Sequence, residues 1–120
     1  MSTRCNIVIK DKNNTFYVYH HCDGYPEGVG SFLYRKVNDN LKKGRFCYAE
    51  DVVNYLLKDK EDNSYELTSC IHGDIEYLYE IDCQNQTLKC FAVDWYRDSE
   101  YAGWRLNKGD EINLEERLSD

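Results

Sequence analysis

Cys5-Asn6-Ile7-Val8-Ile9-Lys10, Asp11-Lys12-Asn13-Asn14-Thr15 and Phe16-Tyr17-Val18-Tyr19-His20-His21 are the stretches on which the fold turns. β-Branched and aromatic residues dominate the first and third, the composition that suits a pleated, half-buried strand. The middle stretch is a turn, because Asp and Asn side chains hydrogen-bond their own backbone. The three together predict a β-hairpin. Ile7 and Ile9 share one face of its first strand. In its second, Phe16, Val18 and His20 point one way, and Tyr17, Tyr19 and His21 point the other.

Working outward, Asp23-Gly24-Tyr25-Pro26-Glu27-Gly28-Val29-Gly30 breaks the strand, and Pro26 suits the first turn of a helix, where its missing N–H costs nothing. Val29, Leu33, Val37 and Leu41 recur every four residues, an apolar stripe that predicts a helix over about 28–43, stopped by Gly44. A second helix is expected over about 48–58, with Val52, Val53, Leu56 and Leu57 inward and Glu50 and Asp51 at the positive end of its dipole. After the polar connection at 58–63, Tyr65–Ile71 reads as a strand. Asp74–Asp82 and Thr87–Tyr96 read as a second hairpin about Cys83–Gln86, and Tyr101–Leu106 as a short edge strand or loop. The expected fold class is therefore α+β: an antiparallel sheet of about five strands built from two hairpins, with both helices packed on one face. Residues 1–108 form one domain, and 109–120 an acidic, mobile C-terminal tail.

Composition bounds the functional classes. Leu, Ile, Val and Phe make up 27 of 120 residues, just above the roughly 20% below which chains tend to stay disordered. No apolar run reaches membrane-spanning length. Met1-Ser2-Thr3-Arg4-Cys5-Asn6 has no apolar secretory segment, so the expected compartment is the cytoplasm and the six cysteines are expected as free thiols. There is no C-x-x-C pair to suggest a zinc ribbon or a dithiol redox site. The net charge of −7 argues against nonspecific binding to duplex DNA. Charge is uneven: 35–45 is a basic segment and 109–120 an acidic one. Each suits a solvated face, or alternatively an anion-binding edge and a tail that docks on a partner.

Met1-Ser2-Thr3-Arg4, a strand, a turn and then His21-Cys22-Asp23-Gly24-Tyr25-Pro26-Glu27-Gly28-Val29-Gly30 resemble a family of small phage, prophage and plasmid proteins. In that family the loop usually reads H-W-D-G-Y-P, often followed by E-G-V-G; here Cys22 stands in place of the Trp. The likeness covers about the first 40 residues well and the remainder loosely. It implies an accessory protein of a mobile element and supplies no catalytic residues.

The loop residues themselves carry three chemical readings. His21, Asp23, Tyr25, Glu27, Gly28 and Gly30 are candidates for a binding lip, whose glycines admit a ligand to the helix start, where the dipole favours an anion. The same glycines equally serve only to shape a tight strand-to-helix corner. His21 and Asp23, with the same H-x-D spacing repeated at His72 and Asp74, supply four ligands for a divalent metal such as zinc or manganese, provided the two segments meet. Cys22 is the best placed thiol for a nucleophile but lacks a hydrolase signature around it.

Eleven tyrosines and two tryptophans suggest an aromatic sheet face formed by Tyr17, Tyr19, Tyr77, Tyr79, Trp95, Tyr96, Tyr101 and Trp104. Its use is core packing, a protein interface or stacking on nucleobases. The leading expectation is a noncatalytic intracellular binding module, without a cofactor, for a protein partner or small anionic ligand. The alternatives are a small metal-dependent phosphoester hydrolase and a homodimeric structural or assembly protein.

Overall fold

The computed structural model describes residues 2–59, 64–98 and 103–119. The hairpin forms as expected: β1 (Cys5–Lys10) pairs antiparallel with β2 (Thr15–His20). Asp11 builds the turn by accepting the N–H groups of Asn13 and Asn14, each at 2.8 Å. Its second oxygen accepts the Ala49 N–H at 2.7 Å and so caps α2 (Ala49–Leu57). One carboxylate thus ties the hairpin to a helix far away in sequence.

The first helix, α1, occupies 26–42. It winds with wide, π-type turns over Pro26–Gly30 and Leu33–Asn38 and closes as ordinary α-helix over Asp39–Lys42. The winding explains the strict four-residue stripe. An α-helix turns in about 3.6 residues, so a repeat of four drifts around it; wider turns keep Val29, Leu33, Val37 and Leu41 aligned, and all four are buried. Pro26, Gly28 and Gly30 are poor α-formers, which makes the departure inexpensive at this end.

Two features of the sheet correct the sequence reading. The remaining strands among the described residues are β3 (Tyr65–Thr68), β4 (Tyr77–Asp82), β5 (Thr87–Ala92), β6 (Asp94–Asp98), β7 (Gly103–Asn107) and β8 (Glu111–Ile112). The sheet is mixed rather than antiparallel, and its six described strands run in the order β3-β2-β1-β4-β5-β8, with a separate two-stranded sheet, β6-β7. β4 lies parallel to β1, with Cys5 opposite Tyr77 and Ile9 opposite Ile81. The parallel pair arises because β3 adds at the far edge, beside β2, and the chain then returns across the sheet through 69–76. His72 N–H donates to the Asn6 side chain on the way, and Glu76 N–H donates to the Arg4 carbonyl.

The register sets two cores. Cys5, Ile7, Ile9, Phe16, Val18, His20, Tyr77, Tyr79, Ile81 and Cys90 share the face covered by the helices. The opposite face carries Val8, Tyr19, Leu78 and Phe91, roofed by Ile71, Ile75, Val93, Trp95 and Leu106. The single aromatic face expected of Tyr17, Tyr19, Tyr77 and Tyr79 is therefore split between two sides. Tyr101 and the Trp104 side chain lie outside the described residues. The stretch expected as one strand, Thr87–Tyr96, divides at Val93, and the segment read as a tail carries β8 and α3 (Leu114–Leu118). Leu114 is buried, and α3 rests on the start of α1 through a 2.8 Å Arg117–Glu27 ion pair. Among the described residues no helix is long and apolar enough to cross a membrane.

Candidate functional site

The loop singled out in the sequence becomes a corner joining β2 to α1. Asp23 turns it with a left-handed backbone, φ +52°, a conformation that Asp and Asn tolerate better than other side chains. The Asp23 carbonyl then accepts the Val29 N–H at 2.8 Å. Gly28 passes so close that a Cβ there would stand 2.2 Å from the same carbonyl oxygen. The corner admits no side chain at that position.

Tyr79 fastens the corner from beneath. Its hydroxyl, carried on β4 and wholly buried, donates to the Gly24 carbonyl at 2.8 Å. A Cβ at Gly30 would meet that same hydroxyl at 2.9 Å. Burial, followed by the nearby thiols Cys90 and Cys5, pushes the Tyr79 phenol far above its ordinary value, so it remains a neutral donor.

These contacts bear on the readings of the glycines. Gly24 N–H donates to Thr3, Gly28 and Gly30 N–H both donate to Tyr25, and Val29 N–H donates to Asp23. These four N–H groups, which could otherwise cradle an anion, are taken by the chain itself. Gly28 and Gly30 shape the corner, and Glu27 is engaged with Arg117. Tyr25 and Asp23 remain at the surface, with their side chains 3.4 Å apart.

The structure also places the two H-x-D pairs. His21 is exposed beyond the end of β2. His72 and Asp74 sit on the crossover over the opposite face: the His72 ring stacks on Tyr19 at 4.1 Å, and Asp74 accepts the Tyr19 hydroxyl at 2.9 Å and pairs with Arg4 at 3.2 Å. Burial first, then the bond to Asp74, pushes Tyr19 up to about 12. Among the described residues no three His, Cys, Asp or Glu side chains gather as a metal site, because Tyr19 holds one pair over its own face while the other belongs to the corner.

The histidine that does enter the corner is His20, which is buried and donates from Nδ1 to the Cys22 carbonyl. With Asp23, Val29, Phe32, Asp59 and Tyr65 it lines an open recess of about 330 Å³ between the corner, α1 and the β3 edge. Rings follow one another across it: His20–Tyr65 at 4.5 Å edge-on and Tyr65–Phe32 at 6.0 Å, continuing to Tyr55 at 6.3 Å. Phe32, Asp59 and Tyr65 were not singled out by the sequence reading. The available signal is the parity of β2, which groups His20 with Phe16 and Val18, and the structure shows that face to be the one the helices cover. Comparison with protein-family models, with characterised proteins and with solved structures yields no match.

Proposed function

We propose that this chain is a noncatalytic binding module that engages a protein partner through the corner between β2 and α1, and serves as an accessory protein of a phage, prophage or plasmid. The observation that carries the reading is the recess at the corner, where Phe32 and Tyr65 stand beside two carboxylates, Asp23 and Asp59. Tyr65 is buried and backs the recess, while the half-buried Phe32 and the exposed Tyr25 supply rigid contact area of the kind that dominates protein interfaces. A protein partner is favoured over a small anion because the N–H groups of Gly24, Gly28, Val29 and Gly30 are already bonded and the exposed carboxylate of Asp23 stands at the mouth of the recess. The accessory role follows from the likeness of the His21–Gly30 motif.

The test is capture from a lysate of cells carrying the element, using the immobilised full chain beside Tyr25→Ala, Asp23→Asn and, as a control away from the corner, Tyr96→Ala. Asn is chosen because it tolerates the left-handed backbone at 23. Proteins held by the parent and the control but lost from both corner variants are the expected result. A capture pattern unchanged by both corner substitutions refutes the assignment.

A further inference from the structure

The outer edge of β5 is covered over only part of its length. Ala92 N–H donates to the Asp110 carbonyl at 3.0 Å, and Cys90 stands opposite Ile112. In an antiparallel pair, residues point their main-chain groups alternately to one side of the strand and the other. The even-numbered residues of β5 therefore face β8, and Leu88 is the next of them. β8 ends at Ile112, and the chain leaves through Asn113 into α3. Among the described residues the Leu88 N–H and carbonyl meet no strand on that side, and an edge of this kind is a template for one.

A recess of about 330 Å³ opens at this edge, between α1, the β4–β5 turn and the start of α3. Tyr34, Asn38 and Lys42, spaced by four along α1, line one wall, and Gln86 lies at the turn. The Tyr34 hydroxyl and the amides of Asn38 and Gln86 have no hydrogen-bond partner among the described residues. A side-chain amide offers donor and acceptor together, as a peptide group does. Unused amides beside an unpaired strand edge suit an extended polypeptide, which adds to a sheet through its main chain.

Charge and topology agree on its direction. Glu115 lies at the α3 end of the recess and Lys42 at the other, and neither has an ion-pair partner among the described residues. Arg35 shares with Glu115 a second hollow beside Tyr34, outside this recess. Lys89 and Glu111 stand opposite Glu80 and Phe91, on the other face of the sheet. A segment antiparallel to β5 runs as β8 does, from the α3 end toward Lys42. Ile112 and Asn113 occupy the line behind it, so the segment begins there, and a free α-ammonium at its start comes beside Glu115.

We propose that this recess receives the N-terminal segment of a partner polypeptide, added antiparallel to β5 at Leu88, with its ammonium at Glu115 and an acidic side chain further along at Lys42. The recess shares no lining residue with the one at the β2–α1 corner, so the two sites stand or fall separately.

Amide hydrogen exchange on the full ¹⁵N-labelled chain tests the open edge first. Leu88 N–H is expected to exchange at least about tenfold faster than Ala92 N–H, which is held by β8; equal protection of the two overturns the proposal. The same chain then selects from random heptapeptides displayed with free N-termini, and the strongest binder is synthesised with a free and with an acetylated N-terminus. The free peptide is expected to slow exchange at Leu88 and to shift the signals of Asn38 and Gln86. Acetylation, or Glu115→Gln in the chain, should weaken it about tenfold, the order of one hydrogen bond to a charged group. Lys42→Ala should weaken it about threefold, and Tyr96→Ala should leave it unchanged. An empty selection, binders that leave Leu88 unprotected, or equal affinity of the free and acetylated peptides overturns the proposal.

Discussion

Tyr79→Phe removes one oxygen atom and tests how the corner is held. The ring remains packed on the helix-covered face, so the change removes the 2.8 Å bond to the Gly24 carbonyl together with the hydroxyl's contact with the Cys90 thiol. That bond is buried, and losing its donor leaves the carbonyl to bear its desolvation, a cost of about 1–3 kcal/mol. For a chain of this size each kcal/mol moves the melting midpoint by roughly 3–6 °C. A second substitution sharpens the test. Gly30→Ala favours the helix by about 1 kcal/mol intrinsically, but its Cβ would meet the Tyr79 hydroxyl at 2.9 Å, with ring Cε1 and Leu114 Cδ2 each at 3.3 Å. Such overpacking costs about 1–3 kcal/mol. The two effects share an atom, because the Phe at 79 has no oxygen for the new methyl to meet. The double variant is therefore expected to lie above the sum of the single variants by at least about 0.5 kcal/mol, beyond the error expected for independent sites. Urea midpoints and thermal melts followed by circular dichroism measure all four corners of the cycle. A Tyr79→Phe loss under about 0.5 kcal/mol, or strict additivity, refutes the anchoring role, since an unmade bond costs about 1–3 kcal/mol and an unshared contact shows no coupling.

Asp11 and Asp82 should govern acid stability. The Ala49 N–H, then those of Asn13 and Asn14, hold the Asp11 carboxyl below its ordinary value; at Asp82 partial burial opposes ionisation, but the Asn85 and Gln84 donors outweigh it. A carboxyl lowered in the fold contributes stability above its unfolded pKa of about 3.9, and the contribution is lost as pH falls through the lower folded value. Asp11→Asn is thus expected to lower the urea midpoint at pH 6 and to match the parent near pH 2; a gap independent of pH contradicts this. The thiols should divide three and three. Burial raises Cys83 to about 11 and Cys90 to about 12, and Cys5 still further, so a thiol-exchange reagent at pH 8 should find only Cys22, Cys47 and Cys70 rapidly, and all six once the chain is unfolded. Fast reaction of a fourth cysteine in the folded chain would show the core to be open. Asn6→Leu should cost about 2 kcal/mol or more, because the buried amide donates to Val18 and accepts from His72 and its loss strands two backbone groups; near-wild-type stability would mean that the crossover is held elsewhere.

Local patterns were the legible part of this fold. The hairpin, both main helices and the β4–β5 pairing follow from period, turn chemistry and capping residues, all of which act over a few positions. The parallel pairing of β1 with β4 has no such local sign: it depends on where β3 adds, and residues 69–76 show no helical period to mark a crossover. Asp11 illustrates the same limit. Its sequence context announces the turn, but its second oxygen caps a helix starting at Ala49, a partnership fixed only by packing. The acidic composition of 109–120 likewise concealed β8 and α3, where a single apolar side chain, Leu114, is seated against the start of α1.

At the site, alternation along β2 is the decisive clue. Parity assigned His20 to the side of Val18 and Phe16, and that side is where the helices pack and the recess opens; the exposed His21 belongs to the familiar motif but sits past the strand's end. A strand end is where parity stops constraining a side chain, since no neighbouring strand pairs with it. The repeated H-x-D spacing failed as a metal signal for the same reason: each pair lies beyond a strand, and each is oriented by a different partner, Tyr19 for His72 and Asp74, the Gly28 close approach for the backbone at Asp23. Spacing alone predicts convergence only when regular structure carries both members. The residues that do converge, His20 from β2, Phe32 from α1 and Tyr65 from β3, each sit on a regular element. The rings of His20 and Tyr65 are brought together by the antiparallel register that sets the two residues opposite each other, and it is this rigid ledge, more than the glycines of the motif, that shapes the recess.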